Sequence, residues 1–296
     1  MKQRVLVIGS NDFVGRCVVQ ALAASDWAEP VKSEQDRPVA AIANCVTGSA
    51  AKVLNAARTL AGIAAAQPAP PRIVQFSSIA VYGNAAGPVD EATPPGGTLS
   101  PYGLARLEAE RLAASAGPAV LLRPGIVYGP GSAEWSERIA HMLFAHRLGD
   151  LGRAGDGCCN LLFIDDAATA VVRSLQLPDI TGKTFNVRSP EPPTWNEYFT
   201  RYALALGAVP VSRVSGRRLR IESKLLAPPQ KIARLLVGRL SSGLARRLPE
   251  PIPPSLLRLF EQDITLKIDR AEQALGLRWT CLEEGLKRTA DEYRRR

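Results

Sequence analysis

Arg4 to Ile8 (RVLVI) is a short β-branched run that stops at Gly9, and a second glycine stands at Gly15 before an apolar helical stretch from Arg16 to Ala24. An apolar run of strand length, bounded by glycine, reads as a β-strand. Strand, glycine turn and helix in that order open a dinucleotide-binding βαβ unit. In such a unit the glycines let backbone N–H groups approach a pyrophosphate at a helix N-terminus. The candidate cofactor contacts in the turn are Gly9, Ser10, Asn11, Asp12, Phe13, Val14 and Gly15, and the cofactor implied is a dinucleotide.

A second stretch points to chemistry. Arg72 to Phe76 reads as a buried strand and ends at Ser77-Ser78. After a Gly/Pro-rich loop, Ser100-Pro101 opens a helix that carries Tyr102 and Arg106. Proline is tolerated there because the first-turn N–H has no helical partner. Residues four apart share a helix face. One hydroxyl at a strand end, one phenol and one fixed cation can therefore converge. A phenol is a poor base near neutrality, and a nearby cation favours its ionised form. Ser78 would hold a substrate oxygen while Tyr102 gives or takes its proton.

The segments SSIAVYG, YGLAR and LLRPGIVYGPG together resemble the extended short-chain dehydrogenases/reductases, in the NAD-dependent epimerase/dehydratase branch. The resemblance spans about residues 4–24, 39–200 and 264–294. It implies a Rossmann-like, doubly wound, mostly parallel α/β sheet with a small C-terminal α/β substrate lobe. The division expected is residues 1–178 for dinucleotide binding and 179–296 for substrate, with some interleaving. Ser78, Tyr102 and Arg106 fall on the family's catalytic positions. Pro124 to Val127 fall on the turn that packs against the nicotinamide, which adds Pro124 and Val127 to the cofactor candidates. A dimer through a bundle of the Ala51 and Tyr102 helices is also implied.

The departures from the family pattern are as informative as the matches. Asp12 replaces the middle glycine of G-x-x-G-x-x-G, so an anion stands where backbone should meet phosphate. Either the loop is rerouted, with Ser10 or Asn11 supplying donors, or Asp12 caps the helix and binding is lost. Between Trp27 and Val39 there is room for one short strand and a turn, whereas a full βαβ crossover needs about 30 residues. Pro38 to Cys45 then already matches the family's fourth strand, so the first half of the sheet is shortened. Reading of the adenosine ribose falls to Lys32 and Ser33, which favour a 2′-phosphate, or to Glu34 and Asp36, which favour free hydroxyls. Arg106 replaces the family's lysine; it keeps the charge, but it is longer, planar and forked. It also stands four residues before Glu110, as in a surface pair. Cys159 stands seven residues before Asp166, where many nucleotide-sugar epimerases carry a phosphate-binding arginine.

The remaining chain reads as a helix from Ser49 to Ala66, a strand from Ala119 to Arg123, a helix from Glu134 to His146 and a strand from Asn160 to Ile164. Asp165 and Asp166 are expected to cap the next helix. A strand follows at Lys183 to Val187, and Thr194 opens another helix. Lys231 to Leu248 is a basic amphipathic stretch, with Arg234, Arg239, Arg246 and Arg247 among its leucines. It fits a helix packed on the core, a cover for the substrate, or a peripheral contact with a membrane surface. The whole chain carries a net charge of +9, and residues 201–296 hold 20 Lys/Arg against 10 Asp/Glu. An anionic partner for the C-terminal part is expected, with nucleic acid disfavoured. Five cysteines without a C-x-x-C spacing, and an N-terminus unlike a signal peptide, indicate a reduced, cytoplasmic setting. His141 and His146 read as helix residues, and no metal pattern is present.

Three functions follow from these features. The first, implied by the resemblance, is NAD- or NADP-dependent oxidoreduction, epimerisation or dehydration of a small-molecule sugar, nucleotide-linked in the family's manner. The second is 3β-hydroxysteroid-dehydrogenase-like chemistry on a sterol or isoprenoid alcohol. The third is a non-catalytic relative acting as a binding or regulatory module.

Overall fold

The computed structural model describes residues 2–32, 38–221 and 252–295. Their α/β architecture matches the expected class. In chain order the first elements are β1 (Gln3–Ile8), α1 (Phe13–Ala23), β2 (Ala28–Val31), β3 (Ala41–Asn44), α2 (Ala50–Ala65) and β4 (Arg72–Phe76). A 3₁₀ turn (Ile79–Tyr82), β5 (Gly87–Val89), α3 (Pro101–Ala116), β6 (Ala119–Pro124) and β7 (Ile126–Tyr128) follow. Then come α4 (Arg138–Phe144), β8 (Leu161–Phe163), α5 (Ile164–Gln176), β9 (Thr184–Val187) and α6 (Trp195–Leu206).

Six strands form one parallel sheet in the order β2-β1-β3-β4-β6-β9. The shortened first half is real: β2 pairs directly with β1, with Leu6 opposite Val31, and is the outermost strand on that side. On the other side of β1 the register sets Leu6 against Ile42 and Ile42 against Ile73. Leu60 and Ala64 of α2 and Ala113 of α3 pack on that row. Burying each such aliphatic side chain contributes about 1.5–3 kcal/mol over leaving it exposed. Helices α1 and α5 pack together as a second layer.

The chain divides into two compact units. The first comprises Met1–Tyr128, Asn160–Glu191 and Thr265–Cys281 and holds the large sheet. The second comprises Gly129–Cys159, Pro192–Ile264 and Leu282–Arg296. Its core is aromatic: Trp195 is buried with its ring centroid 4.7 Å from that of Phe260 and 5.7 Å from that of Phe199. Thr194 caps α6 through a reciprocal pair with Glu197, as its position at the head of WNEYF suggests. The helix Leu282–Arg294 is tied to α6 by Arg201 to Glu283 at 2.6 Å.

Some local expectations shift. The helix expected over 134–146 begins as a π-turn, Ala133–Glu137, before α4. His146 lies past its end with a left-handed φ of 52°, and its Nδ1 is 2.9 Å from Ser212 Oγ. Helix α5 starts at Ile164, so Asp165 and Asp166 lie inside its first turn rather than capping it. Asp166 instead accepts from the Thr280 N–H at 3.0 Å and hydroxyl at 2.9 Å, fastening the segment before the last helix.

Candidate active site

The Tyr102 helix begins with Ser100 as N-cap, its Oγ accepting from the Gly103 N–H at 3.0 Å. Gly103 has a steric reason: a Cβ there would stand 2.5 Å from the Ala80 carbonyl oxygen. The first turn of α3 therefore lies against the 3₁₀ turn that follows Ser78. Ser78 caps that turn by accepting from the Ala80 N–H at 3.1 Å. This fixes Ser78 Oγ and leaves its own proton available for donation. Both Ser78 and Tyr102 are partly exposed.

Arg106 is only 1% exposed. Its Nε donates to the Tyr102 phenol oxygen at 2.9 Å, and its Nη1 donates to the Phe76 carbonyl at 2.7 Å. The guanidinium carbon also lies 5.0 Å from the Tyr102 ring centroid. Phe76 is the last residue of β4, so one side chain joins the strand end to the helix face. Gln75 Nε2 donates to the same carbonyl at 3.1 Å, and Gln75 Oε1 accepts from Asn44 Nδ2 at 2.9 Å. The cation is thus held by a buried polar lattice across β3 and β4. The alternative role for Arg106, a surface pair with Glu110, is not what forms.

Glu110 has a different partner. Its carboxylate takes both a 2.8 Å and a 3.0 Å bond from Arg123 of β6, and accepts from Ser77 Oγ at 2.5 Å. Arg123 also donates to the Tyr82 hydroxyl at 3.1 Å, and Tyr82 donates to Asn186 Oδ1 at 2.6 Å. Burial pushes the Tyr82 phenol up, partly opposed by Arg123 and Asn186. Burial works against the Arg123 charge, yet the Glu110 carboxylate holds its pKa above the ordinary value. The sequence reading missed this network; its one signal is an arginine inside the apolar strand AVLLRP, which does not name a partner.

At the glycine turn, Gly9 has φ +83°, and a Cβ on Gly15 would lie 2.0 Å from the Gly9 carbonyl oxygen. Both retained glycines are therefore required by the close strand-to-helix turn. Asp12 occupies the N-cap position of α1 but makes no capping bond. Its two oxygens accept from Lys52 Nζ at 2.7 and 2.8 Å, and one accepts from the Thr47 N–H at 3.3 Å. Lys52 escaped the sequence reading, because nothing in a lone lysine of an Ala-rich helix marks it.

A family model for the "NAD dependent epimerase/dehydratase family" matches residues 28–187. This chain belongs to the NAD-dependent epimerase/dehydratase family. No curated protein matches it. Among solved structures, UDP-glucuronic acid 4-epimerase from Bacillus cereus in complex with NAD superposes with TM-score 0.71 at 16% identity, covering 99% of each chain. RMD from Pseudomonas aeruginosa complexed with NADPH gives 0.72 at 18%, covering 100% of each. UDP-glucose 4-epimerase from Thermotoga maritima with UDP-glucose gives 0.71 at 16%, covering 99% of each.

In this family member the remaining predicted residues fall as follows. Ser10, Asn11, Phe13 and Val14 lie in the turn and first helical positions after β1. Lys32 is exposed immediately after β2. Pro124 is buried at the end of β6, and Val127 is partly buried in β7. Cys159 is fully buried and is kept neutral by that burial, which raises its pKa well above the ordinary value. Ser33, Glu34, Asp36 and the basic stretch Lys231 to Leu248 lie outside the described residues.

Proposed function

We propose that this protein is an NAD(P)-dependent oxidoreductase of the epimerase/dehydratase kind, acting at a hydroxyl-bearing carbon of a sugar. The observation that carries this reading is the buried Arg106 side chain, donating to Tyr102 at 2.9 Å. A guanidinium so placed stabilises negative charge on the phenol oxygen when the proton leaves. The cofactor loop fits the same reading. Gly9 and Gly15 allow the close turn, and no side-chain cap occupies the first-turn amides of α1, the groups that an anion at a helix N-terminus uses. The residues that would hold the dinucleotide are those of Gly9 to Gly15, with Lys32 beside the adenosine end and Pro124 and Val127 beside the nicotinamide. A bound nicotinamide supplies the hydride acceptor and donor.

The protein's own residues supply the rest. Ser78 Oγ, fixed by the Ala80 N–H, donates to the substrate oxygen and orients it. Tyr102 takes the proton of that hydroxyl as the carbon is oxidised and returns it on reduction. Arg106 holds the phenol in place and balances its charge. In the family the equivalent lysine also reaches the nicotinamide ribose; here Nε and Nη1 are engaged with Tyr102 and Phe76, so ribose recognition passes to other groups. The buried neutral Cys159 brings no charge to a sugar diphosphate, so the sugar end is what this reading commits to.

The test is calorimetric titration with NAD⁺, NADH, NADP⁺ and NADPH after removal of copurified nucleotide, followed by a sugar-substrate screen. Binding of one oxidised/reduced pair, with turnover lost in Tyr102→Phe and cofactor affinity kept, is the expected result. No binding of any of the four, or full turnover in Tyr102→Phe, overturns the reading.

A further inference from the structure

The Asp12 substitution introduces an anion into a phosphate-binding turn, and the structure shows what accompanies it. Strands β1 and β3 are neighbours, but the chain leaves them in opposite directions: β1 leads through α1 to β2, and β3 leads through α2 to β4. The carboxyl-end crevice between two such strands is where a doubly wound sheet receives its ligand. Asp12 closes the loop on one side of that crevice, and Lys52 lies in the first turn of α2 on the other. Their side chains meet across it, with Nζ on both carboxylate oxygens. Asp12 is 19% exposed at its side chain and Lys52 50%.

Several details make this a built arrangement. Ser49 caps α2 by accepting from the Lys52 N–H at 3.3 Å, which fixes the lysine's backbone. The Thr47 N–H donates to Asp12 from the loop after β3. Asp12 turns away from the helix it heads, so it does not consume the α1 amides that a diphosphate would use. An ammonium has three donors, and Asp12 engages two directions of it, leaving one toward solvent.

Resting on the dinucleotide-binding reading above, we propose that Lys52 is the phosphate-facing cation of this site. Asp12 holds Lys52 at the crevice, Lys52 cancels the Asp12 charge, and its free donor meets a cofactor diphosphate oxygen. The pair takes over the contact that a glycine backbone makes at position 12 elsewhere in the family.

The experiment measures the dissociation constant of the tightest nicotinamide dinucleotide for the full chain and for Lys52→Met, Lys52→Arg, Asp12→Gly and the Asp12→Gly/Lys52→Met double variant. Thermal melting of each reports folding. Lys52→Met leaves Asp12 uncompensated and is expected to weaken binding at least tenfold, whereas Lys52→Arg stays within threefold of the parent. The double variant is expected to regain most of the loss, because no carboxylate remains to be neutralised. Parental binding with an unchanged Lys52→Met constant overturns the proposal and leaves the dinucleotide reading standing. So does a double variant as weak as Lys52→Met alone, or binding that appears only when Asp12 becomes glycine. A parent and variants that bind none of the four nucleotides remove both the reading and the proposal.

Discussion

Arg106 and Phe76 are joined by a 2.7 Å hydrogen bond from guanidinium Nη1 to backbone carbonyl, and the same guanidinium holds the Tyr102 phenol through Nε. A strand end and a helix face are thereby set by one planar group. An ammonium is a point charge on a flexible stem and does not impose both directions at once. The replacement of the family's lysine is therefore a geometric change with the charge kept.

Arg106→Met removes a buried charge and two of its hydrogen bonds. Hydrogen bonds to charged groups contribute about 1.5–3 kcal/mol each, and the methionine recovers part of this through apolar burial. The larger expected effect is on turnover, a loss of about 10²-fold or more, the lower end of what a positioned acid/base contributes. Arg106→Lys should keep measurable turnover. Steady-state rates and urea melts on the two variants check both statements.

The Glu110 carboxylate, 7% exposed at its side chain, faces Arg123, 12% exposed. Glu110→Gln leaves the Arg123 charge without its counter-ion, and breaking a buried pair from one side costs about 3–5 kcal/mol. The exposed Glu108–Arg111 pair on the same helix is the control. Glu108→Gln should give no measurable change in the urea midpoint, because exposed pairs are screened and mobile. Equal effects of the two substitutions would contradict a buried Glu110–Arg123 pair.

Much of this was visible in the sequence where backbone chemistry is local. Gly9, Gly15, the Ser100 cap, the helix starts at Ser49 and Thr194 and the short β2 follow from residue types that act on their immediate neighbours. Helix periodicity put Tyr102 and Arg106 on one face. What stayed hidden depends on partners distant in sequence. Glu110 is 13 residues from Arg123, and Asp12 is 40 from Lys52. Spacing alone offered Glu110 the nearer Arg106, and offered Asp12 the nearer helix end. The same limit misplaced Asp166, whose Thr280 partner lies 114 residues away.

Gly103→Ala tests the placement of Ser78 against Tyr102. Its Cβ would press on the Ala80 carbonyl, which is backbone and cannot swing aside, so the 3₁₀ turn or the first turn of α3 must move. A displacement near 1 Å in positioned groups is enough for about 10²-fold in rate. We expect turnover to fall on that order while cofactor affinity changes little. Gly97→Ala, where nothing lies within 4 Å of the added carbon, should behave as the parent.

Cys45 gives a prediction in pH. It is fully buried immediately after β3, and its thiol is pushed from 9.0 up to about 12, chiefly by desolvation; the Arg106 cation opposes the shift and the Asp12 carboxylate adds to it. Well below pH 9 the thiol is protonated in both folded and unfolded chains, so its contribution to stability is whole and flat. As pH rises from 9.0 toward about 12, the unfolded chain releases the proton and the folded one keeps it. Stability must therefore fall with rising pH across that window, by at most about 1.4 kcal/mol per unit from this group. Cys45→Ala lowers stability at neutral pH through lost packing but should show a shallower alkaline slope in urea midpoints measured from pH 8 to 11. The same burial predicts thiol reactivity. At pH 8 a disulfide reagent should label the exposed Cys281 quickly and reach Cys45 and Cys159 only when the chain unfolds. Rapid labelling of Cys45 in the folded protein would place its sulfur in solvent and remove the basis of the slope.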